Sequence, residues 1–396
     1  MKLLLILCFT PCLGIAQQTI TSTQNGSASN PFVWNCLCIP SISDNIIINH
    51  QITIEVNWAV TSGGSITVNS GGQLMQSGLR SILIDGVGSE YLNYGNSAFD
   101  AMAYMNGASG QNTGHFSITQ GAYFGPGTTY NNTGLVDGLD SLLTEGTFSN
   151  NGTLFTGNFL NTGSFTNTGH IGADSTGNTG TFTSTNGYMY FSAFGNTGTF
   201  NMTNAGWMDV SDNWLNAGNF SLAAGLQIYA HNDFYNGDTL GGTAFLTNNG
   251  VIEVTNDFFN GYSIDGSGNF CIGNDSYNGG TVNGTLDFCD NTGMDFDLNL
   301  GTVAGTVTFC QPGCFVGLEE FQTPNVLLFP NPTNGVISLQ TNEPFSSFTI
   351  FSIDGSKILS GVLVGNEVDL SALKVGVYFI QLIGINSSTL KRMVKN

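Results

Sequence analysis

Carboxylates are the reactive groups this sequence supplies in quantity. The chain carries 27 acidic residues against 7 basic ones, for a formal net charge of −20. Paired carboxylates at a suitable separation can hydrolyse glycosidic bonds, one as acid and the other as base or nucleophile. Asp209 with Asp212, Asp287 with Asp290, and Asp295 with Asp297 are the pairs close enough in sequence to serve. Residues two apart on a strand share a face, so Asp295 and Asp297 would converge there. The competing reading of all six is solvated turn and surface acids. Elimination of acidic sugars is excluded on composition: it needs a cationic base, and Arg80 is the only Lys or Arg between residues 17 and 324. His50, His115, His170 and His231 have no metal-ligand spacing. His115 and His170 each follow Asn-Thr-Gly, which predicts equivalent positions in a repeat. Asp265-Gly266-Ser267-Gly268-Asn269 begins like a Ca²⁺ loop, but Ser276 stands at the twelfth position, where a bidentate Glu is required. No catalytic, cofactor or metal residue is therefore assigned; Ca²⁺ stays open as an alternative, as does a glycoside hydrolase.

Any such site must be positioned by a repeat. Asn-Thr-Gly begins at Asn112, Asn132, Asn161, Asn167, Asn178, Asn196 and Asn291, with looser Asn-x-Gly copies at Asn204, Asn216 and Asn248. An apolar residue follows most copies after one intervening position, among them Phe116, Phe165, Phe182, Phe200 and Phe220. A second pattern, Asn213-Trp214-Leu215-Asn216, Asp233-Phe234-Tyr235-Asn236 and Asp257-Phe258-Phe259-Asn260, overlaps the first. Helical repeats are excluded by the glycine density and by alternation of apolar and polar residues. A propeller blade needs a period of about 40 residues or more, whereas a period near 20 fits one coil of a parallel β-helix. The sequence predicts an all-β chain in which residues 44–315 form about twelve coils. The recurrent Phe and Trp become inward ladders, and Asn side chains bond from coil to coil in turns that tolerate positive φ. Residues 17–43, with Trp34 and Pro40, are expected to cap the first coil.

The ends speak of export. Lys2, an apolar run over residues 3–13 and the small residues Gly14-Ile15-Ala16 predict a signal peptide over residues 1–16. No segment has the roughly 18 uninterrupted apolar residues of a membrane span. Six cysteines remain beyond it: Cys36, Cys38, Cys271, Cys289, Cys310 and Cys314. An even number in an exported chain implies disulfides. Phe270-Cys271, Phe288-Cys289 and Phe309-Cys310 recur at close to one coil, so a bridge between two of these three is favoured, with Cys314 taking the third. Three buried thiols is the alternative. Cys36 and Cys38 pair locally or stay reduced.

Beyond residue 316 the composition changes and five of the seven basic residues appear. Here Pro330-Asn331-Pro332 follows an aromatic, Gly335 precedes a short apolar strand, Asp354-Gly355 ends an apolar run, Gly376-Val377-Tyr378 follows, and a basic tail spans Lys391 to Lys395. This order resembles the type A C-terminal sorting domain of the type IX secretion system. The resemblance implies a seven-strand Ig-like β-sandwich over residues 326–396, a processing linker over residues 316–325, and recognition by the translocon and a sortase. It also implies delivery to the outer cell surface or the medium, by way of the Sec signal peptide. Asp140-Ser141-Leu142, Asp174-Ser175-Thr176 and Asp238-Thr239-Leu240 resemble the O-glycosylation sequon of Bacteroidetes-type bacteria.

The expected function is an adhesive or structural surface passenger, with a glycan-binding or glycan-hydrolysing β-helix as the alternative. An acidic passenger repels nucleic acid. Surface glycans or lipopolysaccharide are the expected partners beyond the secretion machinery. A groove of exposed aromatics beside clustered Asp on one solenoid face would favour the glycan reading.

Overall fold

The computed structural model describes residues 17–237, 243–291, 295–310, 326–341, 345–352, 356–363, 365–384 and 388–396. The expected signal peptide over residues 1–16, the expected processing linker over residues 316–325, Cys314, Asp238, Asp354 and Gly355 lie outside them. The chain divides into two compact units, Met1–Cys314 and Phe315–Asn396.

The first unit is a parallel β-solenoid of about 13 turns. Each coil has three faces. Face A is a short strand, and fifteen of these stack in sequence order into one parallel sheet. Faces B and C are the two halves of a longer strand that bends midway, as in His170–Asn178, or two short strands, as in Trp207–Val210 and Trp214–Asn216. Alternation explains the strand choice: in Phe165-Thr166-Asn167 the first and third side chains are buried and the second is exposed. Residues 17–43 do more than cap. Thr19–Thr21 pairs parallel with Asn45–Ile48, so this segment supplies the first rung. Trp34 is buried over the end, its indole N–H donating to the Ala28 carbonyl at 3.0 Å.

Register fixes the core. On face A one inward column runs Tyr130, Phe148, Phe165, Phe182, Phe200 and Phe220. Successive rings in it lie 4.9–5.3 Å apart. These are the expected aromatic ladders; each ring buries a large apolar area against its neighbours above and below.

The Asn-Thr-Gly repeat differs from expectation in one respect. Asn204, at φ +67°, and the exposed turn residue Asn291 fit the expectation, but the other asparagines of the repeat are buried strand-end residues pointing inward. Most of them join two ladders. Asn93, Asn112, Asn132, Asn150 and Asn167 run along the corner of faces A and B, each Nδ2 donating to the next Oδ1 at 2.7–2.8 Å. Asn161, Asn178, Asn196, Asn216, Asn236, Asn260, Asn278 and Asn299 run along the corner of faces C and A, at 2.7–2.9 Å. The second amide hydrogen of most of them reaches a backbone carbonyl of the next coil, as in Asn150 to His170 at 3.0 Å. A corner carbonyl that the sheet cannot satisfy is satisfied this way. The repeat's glycines are required by close approach: a Cβ on Gly169 would lie 2.0 Å from the Gly152 carbonyl oxygen.

Near the far end Cys289 and Cys310, on neighbouring coils, form a disulfide with Cα atoms 4.3 Å apart. Cys36 and Cys38 form the local one. Cys271 stands in register with Cys289 and is itself disulfide-bonded. Replacing Cys289 by Ser should leave the central coils intact and lower the melting temperature by a few degrees, because the bridge closes only a 21-residue loop. Differential scanning calorimetry under oxidising conditions checks this, and an unchanged melting temperature would count against a stabilising role for the bridge.

The second unit is an antiparallel pair of sheets. One has three strands, Leu327–Phe329, Val336–Gln340 and Glu367–Asp369. The other has four, Phe345–Ser352, Lys357–Val362, Gly376–Gly384 and Ser388–Lys395. Ile337, Ile350, Leu370, Ile380, Leu382 and Met393 fill one core. This is the seven-strand arrangement that the resemblance implied.

Candidate functional site

The carboxylate pairs singled out from sequence do not converge on a cleft. Asp287 and Asp290 are buried, not solvated: Asp287 accepts from the Thr308 hydroxyl at 2.7 Å and Asp290 from the Ser276 hydroxyl at 2.7 Å. Asp295 and Asp297 do not lie on a described strand, so strand alternation does not bring them together. Asp297 accepts from the Ser276 backbone N–H at 2.8 Å. Asp212 accepts from Asn232, and Asp209 faces the His231 ring at 3.1 Å. His115 and His170 do hold the same register position, but the coils of Leu135 and Thr153 separate them. Each has its own neighbour: Asp137 at 3.0 Å from His115, and the stacked Tyr188 ring at 5.1 Å from His170. Among the described residues no group of three or more His, Cys, Asp or Glu side chains could hold a metal ion. Asp265 to Asn269 lies across the junction of two strands. It contains the end of the strand Ser263–Gly266 and the start of Asn269–Ile272. The Asp265 carboxylate accepts from the Gly266 N–H.

The repeated Asn-Asp-x-aromatic pattern has a structural explanation. Asp233 accepts from the Asn256 side chain and the Asp257 N–H of the next coil, and Asp257 does the same for Asn274 and Asp275. The outward rings of Tyr235, Phe259 and Tyr277 stack nearly parallel at 4.8 and 4.9 Å. Burial, and then the Asp233 carboxylate that takes its hydroxyl, push Tyr235 up to about 12, and the Asp275 carboxylate takes the Tyr277 hydroxyl in the same way. This face is bonded to itself.

A groove lies elsewhere, at the bend between faces B and C. It measures about 610 Å³ and crosses five successive coils, from Gly138 to Ser211. At about 4.8 Å per coil it is roughly 20 Å long, parallel to the solenoid axis. Small residues at the bend, Gly157, Gly172 and Ala173 among them, leave the depression. Phe155 and Tyr190 stand in it, 51% and 55% exposed. Asp140, Asp174 and Asp209 line it as well. Trp207 meets the Tyr190 ring edge-to-face at 4.6 Å and braces it. Burial, and then the neighbouring Asp209 charge, raise the Tyr190 hydroxyl above its usual value, so it stays a protonated donor at neutral pH. Sequence reading noted Asp140 and Asp174 only as sequon residues, and missed Phe155 and Tyr190. Their signal is their outward register position, which variable coil lengths hide.

In the second unit, Asn331 of the Pro-Asn-Pro element is tied to the last strand. Its amide donates to the Arg392 carbonyl at 3.0 Å and its Oδ1 accepts from the Val394 N–H at 2.8 Å. Gly335 accepts from the Leu370 N–H at 2.6 Å. Gly376 pairs with Lys395 and Ile380 with Lys391 across the two long strands, and the Tyr378 hydroxyl donates to the Lys374 carbonyl at 3.0 Å. The sequence motifs are thus the clamps that join the first loop, the Gly376–Gly384 strand and the basic tail.

This unit is of the class that addresses proteins for export. Residues 327–396 match the family of the secretion system C-terminal sorting domain. The tail therefore routes its β-solenoid passenger through the type IX secretion system to the cell surface or beyond. No curated protein matches the chain. Among the described residues no helix is long and apolar enough to cross a membrane.

Proposed function

We propose that the exported solenoid is a non-catalytic, adhesive surface protein that holds glycan chains in the groove between faces B and C. Residues 1–16 would direct the first step of its passage, as a signal peptide. The observation that carries the glycan reading is the exposed pair Phe155 and Tyr190 beside Asp140, Asp174 and Asp209. The C–H-bearing face of a pyranose packs on an aromatic ring, and carboxylates accept its hydroxyls. With a net charge of −20 and three acids in the groove, acidic sugars are disfavoured and uncharged ones favoured. The carboxylates singled out as hydrolytic pairs are mostly engaged by hydroxyls, N–H groups or His231, which supports binding over cleavage.

The test is a glycan array probed with the full chain, followed by a hydrolysis assay on every hit. Uncharged saccharides should bind and be recovered uncut. Tyr190→Ala should weaken binding about five- to tenfold, the value of one well-packed aromatic contact. Release of shortened products, or binding that Tyr190→Ala leaves unchanged, would reject the reading.

A further inference from the structure

We infer that the groove's occupant is an extended, uncharged β-1,4-linked polysaccharide lying parallel to the solenoid axis. The inference rests on the glycan-binding reading above and names the linkage. Its basis is a two-coil repeat that neither the groove's size nor its composition requires. Register places Phe155, Gly172, Tyr190, Asp209 and Tyr229 in one outward column on successive coils of face B. Aromatic rings thus recur on every second coil: Phe155, Tyr190, Tyr229. The coils between them carry Gly172 and Asp209 in that column. At the bend, Asp174 stands on the coil of Gly172, and Asp140 on the coil before Phe155.

Two coils span about 10 Å. In an extended β-1,4-linked chain successive pyranose rings are turned over, so like faces recur every second sugar. That spacing is close to two coils. A chain on this track would stack alternate sugars on Phe155 and Tyr190, and present the hydroxyls of the sugars between to Asp174 and Asp209. Linkages that coil the chain, such as α-1,4 or β-1,3, break this match after one contact.

The lie of Phe155 supports the track. A Cβ on Gly172 would fall 2.8 Å from Cδ1 and 3.0 Å from Cε1 of Phe155. The edge of the Phe155 ring therefore fills the outward space that a side chain at position 172 would take, and glycine there leaves the ring its place in the column. Tyr229 extends the column one step past the groove; burial, then the Glu253 and Asp209 charges, keep its hydroxyl protonated.

The experiment is calorimetric titration of the full chain with cello-, β-1,4-manno-, laminari- and malto-oligosaccharides of two to six sugars. β-1,4-linked chains should bind most tightly. Their affinity should climb steeply between two and four sugars and little beyond five. Phe155→Ala and Tyr190→Ala should each weaken cellopentaose binding about five- to tenfold, and Tyr235→Ala, on face C, should leave it unchanged. If laminari- or malto-oligosaccharides bind as tightly as β-1,4 chains and depend on Tyr190, the linkage inference falls while the glycan-binding groove stands. If the wild-type chain binds none of these and no other saccharide, both fall.

Discussion

Replacing Asn150 with Ala should destabilise the solenoid by about 3–5 kcal/mol, and replacing its neighbour Asn151 should cost less than about 0.5 kcal/mol. Asn150 is fully buried and serves three close partners, with a longer contact to the Gly152 carbonyl at 3.4 Å. It accepts from Asn132 at 2.8 Å, donates to Asn167 at 2.8 Å and donates to the His170 carbonyl at 3.0 Å. Truncation removes the amide and leaves all three partners buried without it. Each stranded polar group costs about 1–3 kcal/mol, because no water replaces the lost bond. Asn151 makes two exposed bonds, donating to Asn131 at 3.0 Å and accepting from the Thr168 hydroxyl at 2.6 Å, and water replaces both readily. Gly169→Ala should be at least as damaging as Asn150→Ala. Its Cβ would meet the Gly152 oxygen at 2.0 Å, and that oxygen is held by the His170 N–H at 2.8 Å. In a solenoid each coil touches only its neighbours, so a central defect uncouples the two halves. Urea unfolding followed by tyrosine and tryptophan fluorescence should resolve two transitions for Asn150→Ala where the unaltered chain gives one. Equal midpoints for Asn150→Ala and Asn151→Ala would remove the ladder as a source of stability.

The ladder also shows what a sequence can disclose about a repeat. The period near 20 and the alternation within each strand were legible, because both follow from a coil's length and from the two-residue pleat. The inward direction of the asparagine was not. Asn before Thr-Gly satisfies the usual requirements of a turn, and only stacking reveals that the expected coil-to-coil bonds are made from buried strand ends. The two overlapping patterns are parts of one device. Asn216, Asn236 and Asn260, which end the Asp-aromatic motifs, continue the column begun by Asn161 and Asn178 of Asn-Thr-Gly. The handover between corners falls where Asn150 and Asn161 share a coil. Beyond Asn167 the first corner turns to Ser184, Met202 and Leu222, and before Asn161 the second holds Phe124 and Thr144.

The groove was illegible for a related reason. Phe155 and Tyr190 lie 35 positions apart, with Gly172 between them in the column, and only the pairing register makes them neighbours two coils apart. The acids misled in the opposite sense. Asp287 and Asp290 sit in the Thr-Leu-Asp-Phe-Cys-Asp segment, which sequence alone cannot distinguish from a surface strand. Thr308 and Ser276, which draw both carboxylates inward, come from neighbouring coils.

Deleting residues 326–396 should abolish surface delivery and leave the solenoid inside the cell envelope, because this unit carries the type IX address. A smaller change should do much of the same. Asn331→Ala removes both bonds that hold the Pro-Asn-Pro element to the last strand, at the Arg392 carbonyl and the Val394 N–H. The adjoining ties, Thr333 N–H to the Val394 carbonyl and Asn396 N–H to the Thr333 carbonyl, both at 2.9 Å, are then the only described ones between loop and tail. The basic strand Ser388–Lys395 is the edge of its sheet, paired with the strand Gly376–Gly384 on one side and bridged on the other at Thr333. An edge strand that loses its loop clamp frays, and Lys391 and Lys395 leave their fixed positions with it. Ser360→Ala, on an exposed strand position, should have no effect. Surface labelling with an antibody to the solenoid, scored against total protein, measures each variant. We expect near-complete loss for the deletion, at least a several-fold loss for Asn331→Ala, and wild-type display for Ser360→Ala. Normal display of the truncated chain would mean that the solenoid carries its own route outward. Normal display of Asn331→Ala beside a failed deletion would mean that the translocon reads the tail without its loop clamp.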